Sequence, residues 1–326
     1  MSEIRAEDAG PETVTGTMQD GLLFMESSRD ALLARSDSPP PVLYHYTVTK
    51  PALSIIETNE LWATNAVFMN DESEIRYAAD ILRRVSEDVV NDPEFISVDQ
   101  ENLSQALTPI HRVLANLHSF IEAYVSCFSS EQDQLSQWRA YGQSGGLSIG
   151  FDTSQLKTII ADQPGILALV QISYSETEHS QRIYSLVKEW MLMYLESLKG
   201  DVRTMPHVEA MLFAQSFAWH AISMKNSAFG EEREWRLVWV RPRLPQTLPD
   251  EPFTINFRVA NDMAVPHIRF LPRDAKGNVV RLPIVSVLVG PHKYPDLAAS
   301  GMWHLVTSKG MAGSIHIDYS RTPLRT

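Results

Sequence analysis

The stretch EREWRLVWVR, Glu232 to Arg241, sets two carboxylates two residues apart in a run of strand-forming residues. In an extended strand side chains alternate with period two. Glu232, Glu234 and Arg236 are then expected on one face, and Arg233, Trp235 and Leu237 on the other. Two carboxylates sharing a face repel each other unless a cation lies between them. Such a pair suits a site where positive charge develops on a reacting group. The bland alternative is that Arg236, Arg233 or Lys225 pairs with them on a solvated sheet face.

Two other stretches carry residues with chemical potential. VLYHYT sets His45 between Tyr44 and Tyr46 and is followed by a helical pattern and Asn70-Asp71. A neutral imidazole offers one donor and one acceptor, a match for a sugar hydroxyl. A satisfied core histidine is the competing reading. CFSSEQDQLSQWRAYGQSGGLSIGFD, Cys127 to Asp152, joins Trp138, Arg139 and Tyr141 to a Gly145-Gly146 turn. The Arg139 guanidinium is a planar fork suited to phosphate or carboxylate, the two aromatics offer stacking faces, and glycine permits close backbone approach. Alternatively, Trp138 is core and the glycines make a hairpin turn.

Other chemistries lack their patterns. His111 and His118 lie seven residues apart, His207 and His220 are dispersed, and no HExxH spacing exists, so no metal is expected. Neither a dinucleotide or P-loop glycine motif nor a GxSxG elbow occurs. Cys127 is the only cysteine, which excludes an internal disulfide and a cysteine metal cluster. The net charge of −12 opposes bulk nucleic-acid binding and leaves room for a local basic cleft. No apolar run approaches the roughly 20 residues of a membrane span, and MSEIRAEDAG lacks a signal-peptide pattern, so a cytoplasmic protein with no membrane partner is expected.

The elements that must position these residues are legible in outline. Residues 1–41 read as a flexible or partly helical segment, with GLLFMESSRDALLA as a short amphipathic helix and SDSPPP as a linker. A single α+β domain is expected over 42–326, with helical insertions at about 72–122 and 181–224. Strands are expected at VLYHYT, LWAT, AYVSCFS, GLSIGFD, ILALVQISYS, EREWRLVWVR, HIRFL, IVSVLVG and SIHIDYS. Blocks of strands and helices without regular βαβ alternation favour α+β.

LYHYT, LWATNAVFMNDESE, SCFSSEQDQLSQWRAYGQSGGLSIGFD, KNSAFGEEREWRLV and SVLVGP, in that order, resemble the bacterial domain of unknown function 2971 family, over about residues 42–325. More distantly, a first strand with YHYT, a middle strand with serines and a late Glu-X-Glu are similar to the ADP-ribosyltransferase plan of His, then Ser or Tyr, then Glu. That resemblance implies an ADP-ribosyltransferase-like mixed sheet with helical insertions and NAD as substrate. It implies an unknown acceptor (protein, nucleic acid or small molecule), a role as toxin or phage-defence effector, and a possible neutralising partner protein. Carried over, His45 holds the adenosine-side ribose, and Ser126, Ser129 or Tyr141 fills the middle position. Glu234 stabilises the sugar cation and Glu232 serves the acceptor; Tyr46 or Tyr141 stacks on nicotinamide, and Arg139 meets the pyrophosphate. An NAD or nucleotide-conjugate hydrolase and a non-catalytic nucleotide-sensing or partner-binding module are the alternatives.

Overall fold

A computed structural model describes residues 24, 27–34, 38–69, 72–142, 145–163, 167–199, 206–241, 253–260 and 262–322, with only the backbone at 72–73. Asn70, Asp71 and most of the N-terminal segment lie outside the described residues. Residues 27–34 form a helix, α1, and neighbouring Phe24 packs its ring 6.0 Å from Trp190.

Strand β1 (Val42–Thr47) leads into helix α2 (Thr49–Thr58) and strand β2 (Leu61–Asn65). Helices α3 (Glu72–Asp88), α4 (Gln100–Ala115) and α5 (Leu117–Phe120) follow. Next come β3 (Ala123–Ser129), the short α6 (Leu135–Gln137), a π-helical turn Trp138–Gly142 and β4 (Leu147–Asp152). Helix α7 (Thr153–Asp162) and β5 (Leu167–Gln171) precede the long α8 (Glu176–Ser197) and α9 (Pro206–Ala221). The chain closes with β6 (Glu234–Val240), β7 (Ile255–Ala260), β8 (Met263–Phe270), β9 (Ile284–Val289), α10 (Pro295–Ser308) and β10 (His316–Tyr319). Side chains fix several helix starts by accepting a backbone N–H: Asp99 from Asn102, Asp152 from Gln155 and Ser175 from Glu178.

Among the described residues ten strands join one mixed sheet, in which only β9 and β10 pair in parallel. Its main path is β10-β9-β4-β1-β3-β2-β8-β7, with β6 along the other edge of β3 and β5 beyond β6. Strands β1 and β2 therefore share a single edge of β3. β2 pairs there through Thr64 with Val125, and β1 through Tyr44 with Ser129. The four-residue step from Val125 to Ser129 corresponds to about 14 Å of strand. Both neighbours peel away from β3 in that interval, and the sheet forks.

Each sheet face is covered by its own core. Residues of α3, α4, α8 and α9 pack with Val125, Val238 and Val240 on one face. Helix α9 is buried almost all round, which explains its lack of a polar stripe. Residues of α2, α7 and α10 pack with Leu43, Phe128, Ile149, Trp235 and Leu237 on the other.

Two strand expectations change. The strand around the glutamates begins at Glu234, because Ser227–Glu232 is a 3-10 turn and Arg233 adopts a left-handed conformation, φ 44° and ψ 50°. The expected common face for Glu232, Glu234 and Arg236 as strand neighbours is thus corrected for Glu232. Strand β7 has no counterpart in the expected set, and β8 begins four residues before HIRFL.

Candidate functional site: a forked-sheet cleft over a buried ion cluster

A cleft of about 330 Å³ opens at the fork. Tyr44, His45 and Tyr46 of β1 line one side, and Trp62, Thr64, Phe68 and Met69 another. Gln137 and Tyr141 come from the α6 region, and Arg258, Ala260, Met263 and Val265 from β7 and β8. Its floor is Ser126, Cys127 and Phe128, the part of β3 left uncovered by the fork, together with a cluster of charged side chains.

That cluster is the chemical centre. Lys225 Nζ lies 2.8 Å from Glu74, 2.6 Å from Glu232 and 3.3 Å from Glu234. Arg236 donates to Glu234 from Nε at 2.6 Å and to Glu74 from Nη2 at 2.6 Å. It also donates to the Ile222 carbonyl from Nη1 at 2.9 Å. Lys225, Glu234, Arg236 and Glu74 are all buried. The bland sequence reading named Lys225 and Arg236 correctly as partners, although the cluster sits inside the protein and not on a solvated face.

The two candidate glutamates are pushed in opposite directions. Burial drives Glu232 above its ordinary value, and the Lys225 ammonium only partly opposes this. Burial works the same way on Glu234, but Arg236 and Lys225 overwhelm it and hold the carboxyl down at about 2. Lys225 is burdened by burial, yet Glu234 and Glu74 keep it firmly protonated. Burial and then the Glu234 charge raise the Cys127 thiol well above its ordinary value, so it stays a thiol.

His45 reaches the cleft in an unexpected way. Tyr44 pairs with Ser129 and Ser129 with Glu234, so these three share a face and His45 belongs to the opposite one. His45 and Glu234 thus belong to opposite sheet faces, yet both line the cleft. The imidazole instead turns into the fork, where Nδ1 lies 2.8 Å from the Cys127 carbonyl. A carbonyl only accepts, so Nδ1 carries the hydrogen. Burial depresses the ring's proton affinity despite that bond, and the neutral tautomer leaves Nε2 as an acceptor.

The remaining candidates separate. Ser126 lines the cleft and donates to the Trp62 carbonyl at 2.6 Å, pinning β2 at the fork. Ser129 is buried and donates to the Glu232 carbonyl at 2.8 Å, so it fastens the Glu-bearing turn and faces no cavity. Tyr46 hydrogen-bonds the Glu131 carbonyl at 2.7 Å and meets the Trp138 ring at 4.7 Å, making it a wall. Tyr141 is partly exposed at the cleft, and burial, then Glu232, raises its phenol. Arg139 is exposed and lies outside the cleft lining, which removes it as the expected anion contact; the lining carries Arg236, held in the buried ion cluster, and the exposed Arg258.

The turn after Tyr141 explains its glycines. Gly145 has φ +104°, and a Cβ on Gly146 would lie 2.3 Å from the Gly142 Cα. Trp138 is fully buried behind this turn and donates to Asp133 at 2.7 Å. Among the described residues no group of three or more His, Cys, Asp or Glu side chains could hold a metal ion. None of their helices is long and apolar enough to cross a membrane.

Residues 137–237 match the model of a family described as a protein of unknown function, DUF2971. The DUF2971 match takes in Tyr141, Lys225, Glu232, Glu234 and Arg236. It leaves out His45, Glu74 and the β2-β8-β7 wing, and is narrower than the resemblance read from the motifs. No curated protein and no solved structure matches the chain. Sequence reasoning passed over Glu74, Trp62 and Arg258 as site residues. Glu74 and Trp62 stood inside a quoted motif, LWATNAVFMNDESE, whereas nothing in the pattern around Arg258 marked it.

Proposed function

We propose that the cleft binds NAD and breaks its nicotinamide–ribose bond, passing ADP-ribose to an acceptor. One observation carries this reading: Glu232 and Glu234 meet on one lysine, beside a cleft, with proton affinities displaced in opposite directions. Two carboxyls pushed apart in this way can divide the labour of cleavage, one as a fixed anion and one as a proton carrier. The order of β1 with His45, β3 with its serines and β6 opening on Glu234 agrees with the distant ADP-ribosyltransferase resemblance.

The chemistry follows from those states. The glycosidic C–N bond breaks with its electron pair leaving on nicotinamide, whose pyridinium becomes a neutral base. Positive charge develops on the ribose, as in glycoside hydrolysis, and the ionised Glu234 opposes it electrostatically. The acceptor's lone pair forms the new bond to the ribose carbon, and its proton passes to Glu232. The raised proton affinity of Glu232 suits that task better than an ordinary carboxylate's. Tyr44 and Tyr141 offer ring faces for nicotinamide, and His45 Nε2 accepts from a ribose hydroxyl.

A second reading draws on a specific feature. Both oxygens of Glu234 are already held, by Arg236 and Lys225, and the residue is 5% exposed. That favours a binding module in which the cluster is structural. Incubation with NAD labelled in the adenylate and nicotinamide halves, with cell lysate as acceptor source, separates the possibilities. Nicotinamide release with label transfer supports the proposal, and release without transfer makes the protein a hydrolase. Saturable binding with neither supports the binding module.

A further inference from the structure

We infer that the cleft-side face of the β2-β8-β7 wing is a docking platform for single-stranded nucleic acid, presented to the fork. Trp62 is 38% exposed on this face. Its ring stacks on the buried His267 at 4.5 Å and 27°, while the Arg269 guanidinium sits 5.5 Å from the indole centroid. The indole is thus fixed in orientation by both neighbours, and part of its surface stays exposed for a planar group. Register places the other cation: Trp62 pairs with Arg269, Thr64 with His267, and Arg258 with Val265. All of these side chains therefore share one face, on which Arg258 donates to Thr64 at 3.2 Å.

The spacing favours a polymer over a mononucleotide. Arg269 and Val265, the partner of Arg258, are four residues apart on β8, about 14 Å of strand. Backbone positions that far apart suit successive phosphates of a strand better than a single phosphate. A stacking ring between two arginines is sequence-tolerant, since every base has a π-face. Glu60 approaches Arg269 only at 4.0 Å, so it neutralises that cation weakly. Among the described residues, strand β7 ends the path of the sheet. The −12 charge of the whole chain opposes attraction for phosphate elsewhere in bulk, so binding has to be local. As the source of the acceptor, the platform rests on the proposed transfer activity; as a binding surface, it does not.

The experiment is fluorescence anisotropy of the full chain with a labelled mixed-sequence 20-nucleotide single strand, titrated across salt. Wild-type protein is expected to bind, and to bind the matching duplex and free mononucleotides far more weakly. Trp62→Ala should weaken single-strand binding about tenfold while keeping the salt slope. Arg258→Gln and Arg269→Gln should each lower that slope by about 0.7, one phosphate contact apiece. All three positions are exposed, and unchanged melting curves would certify the fold. Absence of single-strand binding at 50 mM salt, equal binding of duplex or mononucleotide, or indifference to Trp62→Ala would overturn the inference. Nicotinamide release measured on the same samples keeps the two proposals separate: single-strand binding without NAD cleavage removes the enzyme and leaves the platform.

Discussion

His45 donates through Nδ1 to the carbonyl of Cys127, 82 residues away, at the point where β1 and β2 part from β3. The fork deprives that carbonyl of a strand partner, and a buried backbone acceptor without one is costly. The imidazole therefore has a structural task on one nitrogen and is free for another on the second.

The two tasks come apart by substitution. An asparagine at this position can reach the same carbonyl with its side-chain amide but has nothing in place of Nε2. His45→Ala should cost about 1–3 kcal/mol in urea unfolding, the usual loss for a stranded buried acceptor. His45→Asn should recover most of that stability and still bind NAD more weakly than wild type. Full NAD affinity in His45→Asn would reduce His45 to a backbone patch.

Glu232 and Glu234 should respond differently to removal of charge. Glu232→Gln loses one bond to Lys225 at a partly accessible position, so the fold should hold while turnover falls by about 10²- to 10⁴-fold. Glu234→Gln strips a buried partner from both Arg236 and Lys225, and should cost about 3–5 kcal/mol of stability. Equal stability of the two variants would show that the cluster does not carry the charge balance described above.

Acidification should destabilise the protein in two stages. His45 is depressed below its ordinary value of 6.5, so the unfolded chain binds its proton first and stability falls as pH drops through the folded value. His179 and His267 are depressed in the same direction, so His45→Asn should remove only part of this stage. Glu234 adds stability that is complete above 4.5 and disappears as pH falls toward about 2. Glu232, raised by burial, has the opposite sign and gives a little stability back on protonation. Urea midpoints at pH 7, 5.5 and 3 measure all of this; a flat profile between pH 7 and 5.5 would contradict the first stage.

Arg139→Lys should change neither melting temperature nor nucleotide affinity, because Arg139 is exposed and stands outside the cleft lining. Gly146→Ala should be severe, since its Cβ would fall 2.3 Å from backbone of Gly142. Comparing soluble yield and melting of the two variants tests whether this segment acts through its backbone or through its arginine.

Much of the fold was legible because burial writes itself into composition. The apolar stripes of α3 and α4, the alternating Leu147, Ile149 and Phe151 of β4 and the β-branched run of β9 each announce their period. The helical stretch at α8 was found as well, though it begins at Glu176 and not near 181. Strand β7 escaped because half of it faces solvent, and INFRVA mixes polar and apolar residues with no buried face to enforce alternation. The charged pair was legible as a pair, but its geometry was not. Nothing in EEREW signals that Arg233 takes a left-handed turn, so period two was applied one residue too early. Glu74 and Lys225 meet Glu232 and Glu234 only through the packing of α3 and the end of α9 against β6. That meeting is tertiary, and no local pattern encodes it.

The Glu74–Arg236 bond spans 162 residues, and both side chains are buried in the floor of the cleft. Closing a loop of that length is paid in chain entropy before either charge gains its partner. Desolvating one charge without the other is worse still, so the five ionised groups can assemble only when α3, the end of α9 and β6 arrive together. The cluster therefore belongs to the late side of the folding barrier. Replacing Glu74 and Arg236 together with apolar residues of similar volume would spare refolding molecules that final desolvation, and the cleft would be reached sooner by a chain that has lost the means to charge it.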